Sequence, residues 1–133
     1  MSYSNFLVAI ILGVYLGCCD GGLLTRNKCQ SVTSPLCAVV YDDGECHGWK
    51  LDIAEGEIMF KWWHPVNYWY RNDIESVSVR QGCTFTGFDD SSLNGGSFTI
   101  RAGNADRHVT LADEDEYEDY DEKIQSISCI CRD

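Results

Sequence analysis

The chain has 133 residues, 44% of them hydrophobic, and a formal net charge of −11. That length suits one compact core rather than several domains. The acidic balance excludes nucleic acid as a partner, because a phosphate backbone demands a basic face.

Residues 6–16 form an apolar run followed by small residues from Gly17 to Gly22. The run is too short to span a bilayer and fits the h-region of a secretory signal peptide, assigned to residues 1–19, although residues 1–5 carry no Lys or Arg. Residues 20–35 read as a polar lead-in whose Gly, Ser and Pro resist regular structure. The domain proper is expected at 36–133, in two halves of similar plan, 36–80 and 81–131.

The first half opens with a β-branched run at 36–41, where period-2 alternation places Cys37, Val39 and Tyr41 on one face. A fold-back at 41–53 follows, and it recurs 47 residues later at 88–100. Each copy has an aromatic (Tyr41, Phe88), a pair of Asp, an apolar residue at plus five (Cys46, Leu93), Gly at plus seven (Gly48, Gly95) and Ile at plus twelve (Ile53, Ile100). Such self-similarity indicates one β unit used twice. A second strand is predicted at 49–53, turn chemistry at 54–57 and a third strand at 58–62. Residues 62–70 hold three of the four Trp, and Pro65 denies them a central strand. These rings either cap the core or form an exposed contact patch at Trp62, Trp63 and Trp69. A polar turn and closing strand end the half at 71–80. Their counterpart lies at 121–129, with Ile74 matching Ile124 and Ser76 matching Ser126.

Removal of the leader with Cys18 and Cys19 leaves Cys29, Cys37, Cys46, Cys83, Cys129 and Cys131. An even count in a small secreted chain predicts disulfides, with the pairing open. Zinc held by Cys46, His47, Cys129 and Cys131 is the weaker alternative, because the Cys-x-Cys spacing does not suit it. Residues 113–122 carry eight carboxylates in ten positions, so the remaining chain has a net charge of only −3 (−11 + 8). A solvated, self-repelling loop is the expectation there, with a loose Ca²⁺ sink or a basic partner as the alternatives.

The paired pattern resembles the Greek-key motifs of the βγ-crystallin superfamily over residues 37–131. Gly48 and Gly95 take the hairpin Gly role, Tyr41 and Phe88 the aromatic role, and Ser76 and Ser126 the buried hydroxyl role. Cys46 and Leu93 stand where the superfamily has a second aromatic. The fold class implied is all-β, a double Greek-key sandwich of about eight strands stapled by disulfides. The cysteine placement, with Cys83-Thr-Phe-Thr opening the second half, is similar to that of the syncollin family. That resemblance implies a secreted or granule-lumen protein that associates with membranes and influences regulated exocytosis. The implied partners are a membrane surface or sterol and other granule proteins, with homo-oligomerisation open. The alternatives are an extracellular structural or weakly Ca²⁺-binding crystallin-type protein, and a secreted toxin or inhibitor.

Calcium-binding members carry Asn/Asp-Asn/Asp-x-x-Ser/Thr-Ser before the closing strand, and Ca²⁺ takes about six to eight oxygens. Here the aligned residues are 71–76 and 121–126, with Arg71 in the first position of one motif and Glu75 and Gln125 in the fifth positions. Asn72, Asp73, Glu75 and Glu122 are the candidate oxygen donors for a weak site, and no other cofactor is expected. His47, His64 and His108 lie on separate segments with no motif linking them to a nucleophile, so no enzymatic activity is expected.

Overall fold

A computed structural model describes residues 29–61 and 68–132. The signal-peptide assignment at 1–19 and the contact residues Trp62 and Trp63 lie outside the described residues. Among the described residues eight strands form: β1 (Leu36–Tyr41), β2 (Lys50–Ala54), β3 (Gly56–Met59), β4 (Ser76–Val79), β5 (Cys83–Phe88), β6 (Ser97–Arg101), β7 (Arg107–Thr110) and β8 (Ser126–Cys131).

The strands make two antiparallel sheets, ordered β2-β1-β4-β7 and β3-β8-β5-β6. Each half lends its third strand to the other half's sheet, β3 pairing with β8 and β7 with β4. Neither half therefore completes a sheet alone, and the duplication is obligatory rather than modular. The registers repeat as well. Tyr41 faces Ser76 across β1 and β4, and Phe88 faces Ser126 across β5 and β8.

Val40, Ile53, Phe60, Val77, Phe85, Ile100 and Ile127 fill the space between the sheets with no exposed surface. Burial of such side chains contributes about 1.5–3 kcal/mol each, the dominant favourable term in a domain this small. The six predicted cysteines form three disulfides, Cys29–Cys46, Cys37–Cys129 and Cys83–Cys131. Cys37–Cys129 ties β1 of one sheet to β8 of the other, while Cys83–Cys131 joins directly opposed residues of β5 and β8.

Three local expectations are corrected. A bulge between Leu36 and Ala38 breaks the alternation of β1. It turns Cys37 into the main core with Ala38 and Val40, whereas Val39 and Tyr41 face a smaller cluster with Val32. Residues 54–57 are not a turn: β2 and β3 are separated by Glu55 alone, where the chain changes sheets, and Gly56 takes φ +134° at the corner. The third strand accordingly ends at Met59 instead of running to 62.

The acidic run is also more than a solvated loop. It makes two short 3-10 turns, Leu111–Asp113 and Glu118–Tyr120, and Tyr117 between them is 1% exposed. The rings of Tyr117 and Tyr120 pack on Phe98 at 5.4 and 4.9 Å, and their hydroxyls donate to the carbonyls of Thr99 and Ser97. Two tyrosines in the run therefore close one end of the core, while the carboxylates between them remain at the surface.

Candidate functional site

The site is the end of the sandwich where the two fold-backs and the two polar turns meet. Each fold-back is held by its own Asp. The Asp42 carboxylate accepts from the Trp49 amide, and Asp89 accepts from the Gly96 amide. Gly48 and Gly95 sit at φ +78° and +79°, and a Cβ there would lie 2.0 and 2.3 Å from those carboxylate oxygens. Only Gly fits, since it alone takes this backbone freely and leaves room for the Asp.

The buried serines bind each fold-back to its sheet. Ser76 donates to the Asp43 carbonyl and accepts from the Cys46 amide, and Ser126 donates to the Asp90 carbonyl and accepts from the Leu93 amide. These hydroxyls, whose role the βγ-crystallin resemblance implied, are scaffold. They hold the backbones of Asp43 and Asp90, and the Asp43 carboxylate acts on Asp73 and Glu75.

The two polar turns interlock across a local pseudo-two-fold axis. Asn72 and Glu122, both in the left-handed region at φ +59° and +57°, donate their amides to the carbonyls of Ile124 and Ile74 respectively. Glu75 and Gln125 are likewise equivalent, donating to the carbonyls of the opening aromatics Tyr41 and Phe88. The backbone symmetry sets the first position of each turn beside the fifth position of the other.

The side chains break that symmetry. On one side Arg71 donates to the Gln125 side-chain oxygen at 2.9 Å, so a guanidinium fills the place of a cation. On the other side stand Asp121, Glu122 and Glu75, all carboxylates. Glu75 is pushed up to about 7, first by its hydrogen bond with Glu122, then by burial and by the charges of Asp121, Glu122 and Asp43. Asp121 is raised by burial and then by Glu122 and Asp113, partly offset by Lys123. Asp73 is raised by burial and then by Asp42, Glu122 and Asp43. One oxygen of Asp121, Oδ1, is buried with no hydrogen-bond partner.

Of the four oxygen donors expected from the sequence, the structure joins Glu75 and Glu122 directly and brings Asp73 within electrostatic reach of Glu122. Asn72 instead lines a shallow cleft with Trp69, Arg71 and Asp73. Asp121 and Asp43 join the cluster, although sequence reading did not place them there. The all-oxygen donor set and the orphaned Asp121 Oδ1 fit a hard cation on this side. The Arg71 side does not fit one, because its cation is covalently supplied.

Trp69, on the short turn Tyr68–Tyr70, is 66% exposed, and Trp49, which sequence reading took into β2, is 67% exposed. Their chain neighbours are linked, Tyr70 donating its hydroxyl to the Lys50 carbonyl at 3.5 Å. Tyr70 itself packs against Phe60, so within the described end of the aromatic stretch Tyr70 faces the core and Trp69 the surface. The three histidines, expected to stand apart from any nucleophile, are not all isolated. His108 Nδ1 lies 2.7 Å from the Ser78 hydroxyl, although that hydroxyl belongs to a fully buried residue.

No protein-family model matches the chain, and no curated protein matches it. Solved structures do. A βγ-crystallin domain from Flavobacterium johnsoniae is similar at 22% identity over 71% of this chain and 94% of that one, with a TM-score of 0.54. The N-terminal domain of Protein S matches at 16% identity over 71% and 96%, with a TM-score of 0.53. A structure described under "Evolution of the eye lens beta-gamma-crystallin domain fold" covers 79% of this chain and 95% of its own, at 13% identity and a TM-score of 0.62. With the exchanged third strands and the paired serine-tied fold-backs, these similarities identify the fold as that of a βγ-crystallin domain.

Proposed function

We propose that this chain is a secreted or granule-lumen βγ-crystallin-type binding protein that takes one Ca²⁺ weakly, at the side formed by Glu75, Asp121 and Glu122. The observation that carries the reading is the asymmetry of the paired turns, three carboxylates on one side and the Arg71–Gln125 pair on the other. Ca²⁺ would relieve the repulsion that raises Glu75, and the buried Asp121 oxygen offers a further ligand. Affinity stays low because protons compete at the same carboxylates and Glu75 replaces the hydroxyl usual at the fifth position. Three disulfides in so small a domain support an oxidising compartment.

Isothermal titration of the disulfide-intact protein should give one Ca²⁺ per chain with a Kd of about 10⁻⁴ M or weaker. Glu75→Gln should abolish the heat. Two equal sites, or one in the submicromolar range, would sink the reading.

A second reading, membrane association of the kind implied by the syncollin resemblance, is favoured by the exposed rings of Trp49 and Trp69. Under it the protein would touch a membrane or sterol surface and influence regulated exocytosis. Flotation with cholesterol-containing liposomes should then be lost in Trp49→Ala/Trp69→Ala while the melting temperature holds. No flotation under any lipid or Ca²⁺ condition counts against it.

A further inference from the structure

We propose that Cys29, Cys46 and His108 form a thiol-gated site for a soft d¹⁰ cation such as Zn²⁺, closed while the two cysteines are joined and opened by a dithiol reductant. One ligand atom from each of the three residues falls within 4.8 Å of the others. Both cysteines are half-buried and His108 is exposed, so the group is open to solvent. A Cys₂His set is a known zinc donor combination that leaves one coordination position for water or an incoming ligand.

Cys46 and His108 are held independently of the disulfide, and Cys29 is tethered close to them. Three residues beyond Cys29, Val32 is buried against Val39 and Tyr41, and its amide donates to the Asp106 carboxylate at 2.7 Å. The Cys46 amide is fixed on the Ser76 hydroxyl at 3.1 Å. Opening the bond between the sulfurs therefore leaves the Cys46 backbone anchored and Cys29 three residues from the anchored Val32, so the thiols stay within reach of each other. Ser78 stands behind the group. Directly opposite His108 in the β4–β7 register, it sets its hydroxyl 2.7 Å from His108 Nδ1 and 3.2 Å from Cys46 Sγ. One hydroxyl thus orients the imidazole and contacts the sulfur, the kind of supporting contact that metal ligands carry. The other close group of sulfurs, Cys37, Cys83 and Cys131, has no nitrogen ligand, is largely buried and is divided between two disulfides.

The gating step is a two-electron exchange. One thiolate of the dithiol attacks the Cys29–Cys46 bond, the second resolves the mixed disulfide, and the reductant departs as its cyclic disulfide. The cysteines are left as thiols, and metal binding expels their two protons.

The test is limited reduction of the disulfide-intact protein with dithiothreitol, followed by alkylation mapping and titration with Co²⁺ as a spectroscopic probe. The expected result is that, of the six disulfide-bonded cysteines, only Cys29 and Cys46 become alkylated, with a cooperative melt retained. A thiolate-to-cobalt charge-transfer band should then appear only in the reduced protein and be displaced by Zn²⁺. His108→Ala should weaken Co²⁺ binding about tenfold or more, and His108→Gln should do the same if the alanine variant melts early. Simultaneous reduction of all three disulfides with loss of the fold would overturn the proposal. So would a selectively reduced protein with no band, or a band indifferent to both His108 changes.

Discussion

Replacing Glu75 with Gln tests whether the carboxylate cluster is held at a cost to stability. In the folded protein Glu75 titrates at about 7 against 4.5 for an ordinary Glu, because Glu122, burial and neighbouring charges favour its protonated form. The folded state therefore binds this proton more tightly than the unfolded chain. The stability from that proton is fully present below 4.5 and is lost as pH rises through 7. The full shift corresponds to about 3 kcal/mol, and solvent screening of a partly exposed pair reduces this to on the order of 1 kcal/mol. Gln in the same place keeps a hydrogen-bond donor toward Glu122, removes one charge and reproduces Gln125 across the pseudo-two-fold. Thermal melts in chelator should show the wild type losing about 4–8 °C between acid and mildly alkaline pH. Glu75→Gln should lose much less, and should be the more stable protein above neutrality. Asp73 and Asp121 are shifted in the same direction, so some slope remains in the variant. Identical pH slopes in the two proteins would refute the reasoning.

Two further changes probe the scaffold beneath the site. Ser126→Ala strands the Asp90 carbonyl and the Leu93 amide at once; denaturant unfolding should show a loss of about 1–3 kcal/mol. Tyr117→Ala removes a fully packed ring from under the acidic run and should cost about 3–5 kcal/mol. Tyr117→Phe, which forfeits the hydroxyl's bonds to the Thr99 carbonyl and Glu116 but keeps the ring, should cost about 1 kcal/mol. Equal losses for the two Tyr117 variants would show that the hydroxyl, not the ring, holds the loop.

The sequence by itself determined the unit, its duplication and much of its chemistry. An aromatic, Asp-Asp and Gly at fixed offsets are local demands, a backbone with positive φ and a carboxylate to hold it, and the Ser that ties each fold-back down recurs at a matching place in the closing strand. Such demands leave their mark on residue identity in each copy, which is why Gly48, Gly95, Ser76 and Ser126 were legible. The six cysteines were legible as bonded, but their pairing was not, because a cysteine carries no record of its distant partner. Only the tertiary structure decided that β3 and β7 pair with the other half's strands; at β3 a single residue, Glu55, suffices for the switch and leaves no turn signal. It also decided which carboxylates converge. Asp121 and Glu75 are separated by 46 positions in the chain (121 − 75) and meet because two turns interlock through their backbones. The same interlocking delivers Arg71 to Gln125 on the opposite side. A motif read in linear order ranks one turn against the other, whereas each half of this site takes its residues from both.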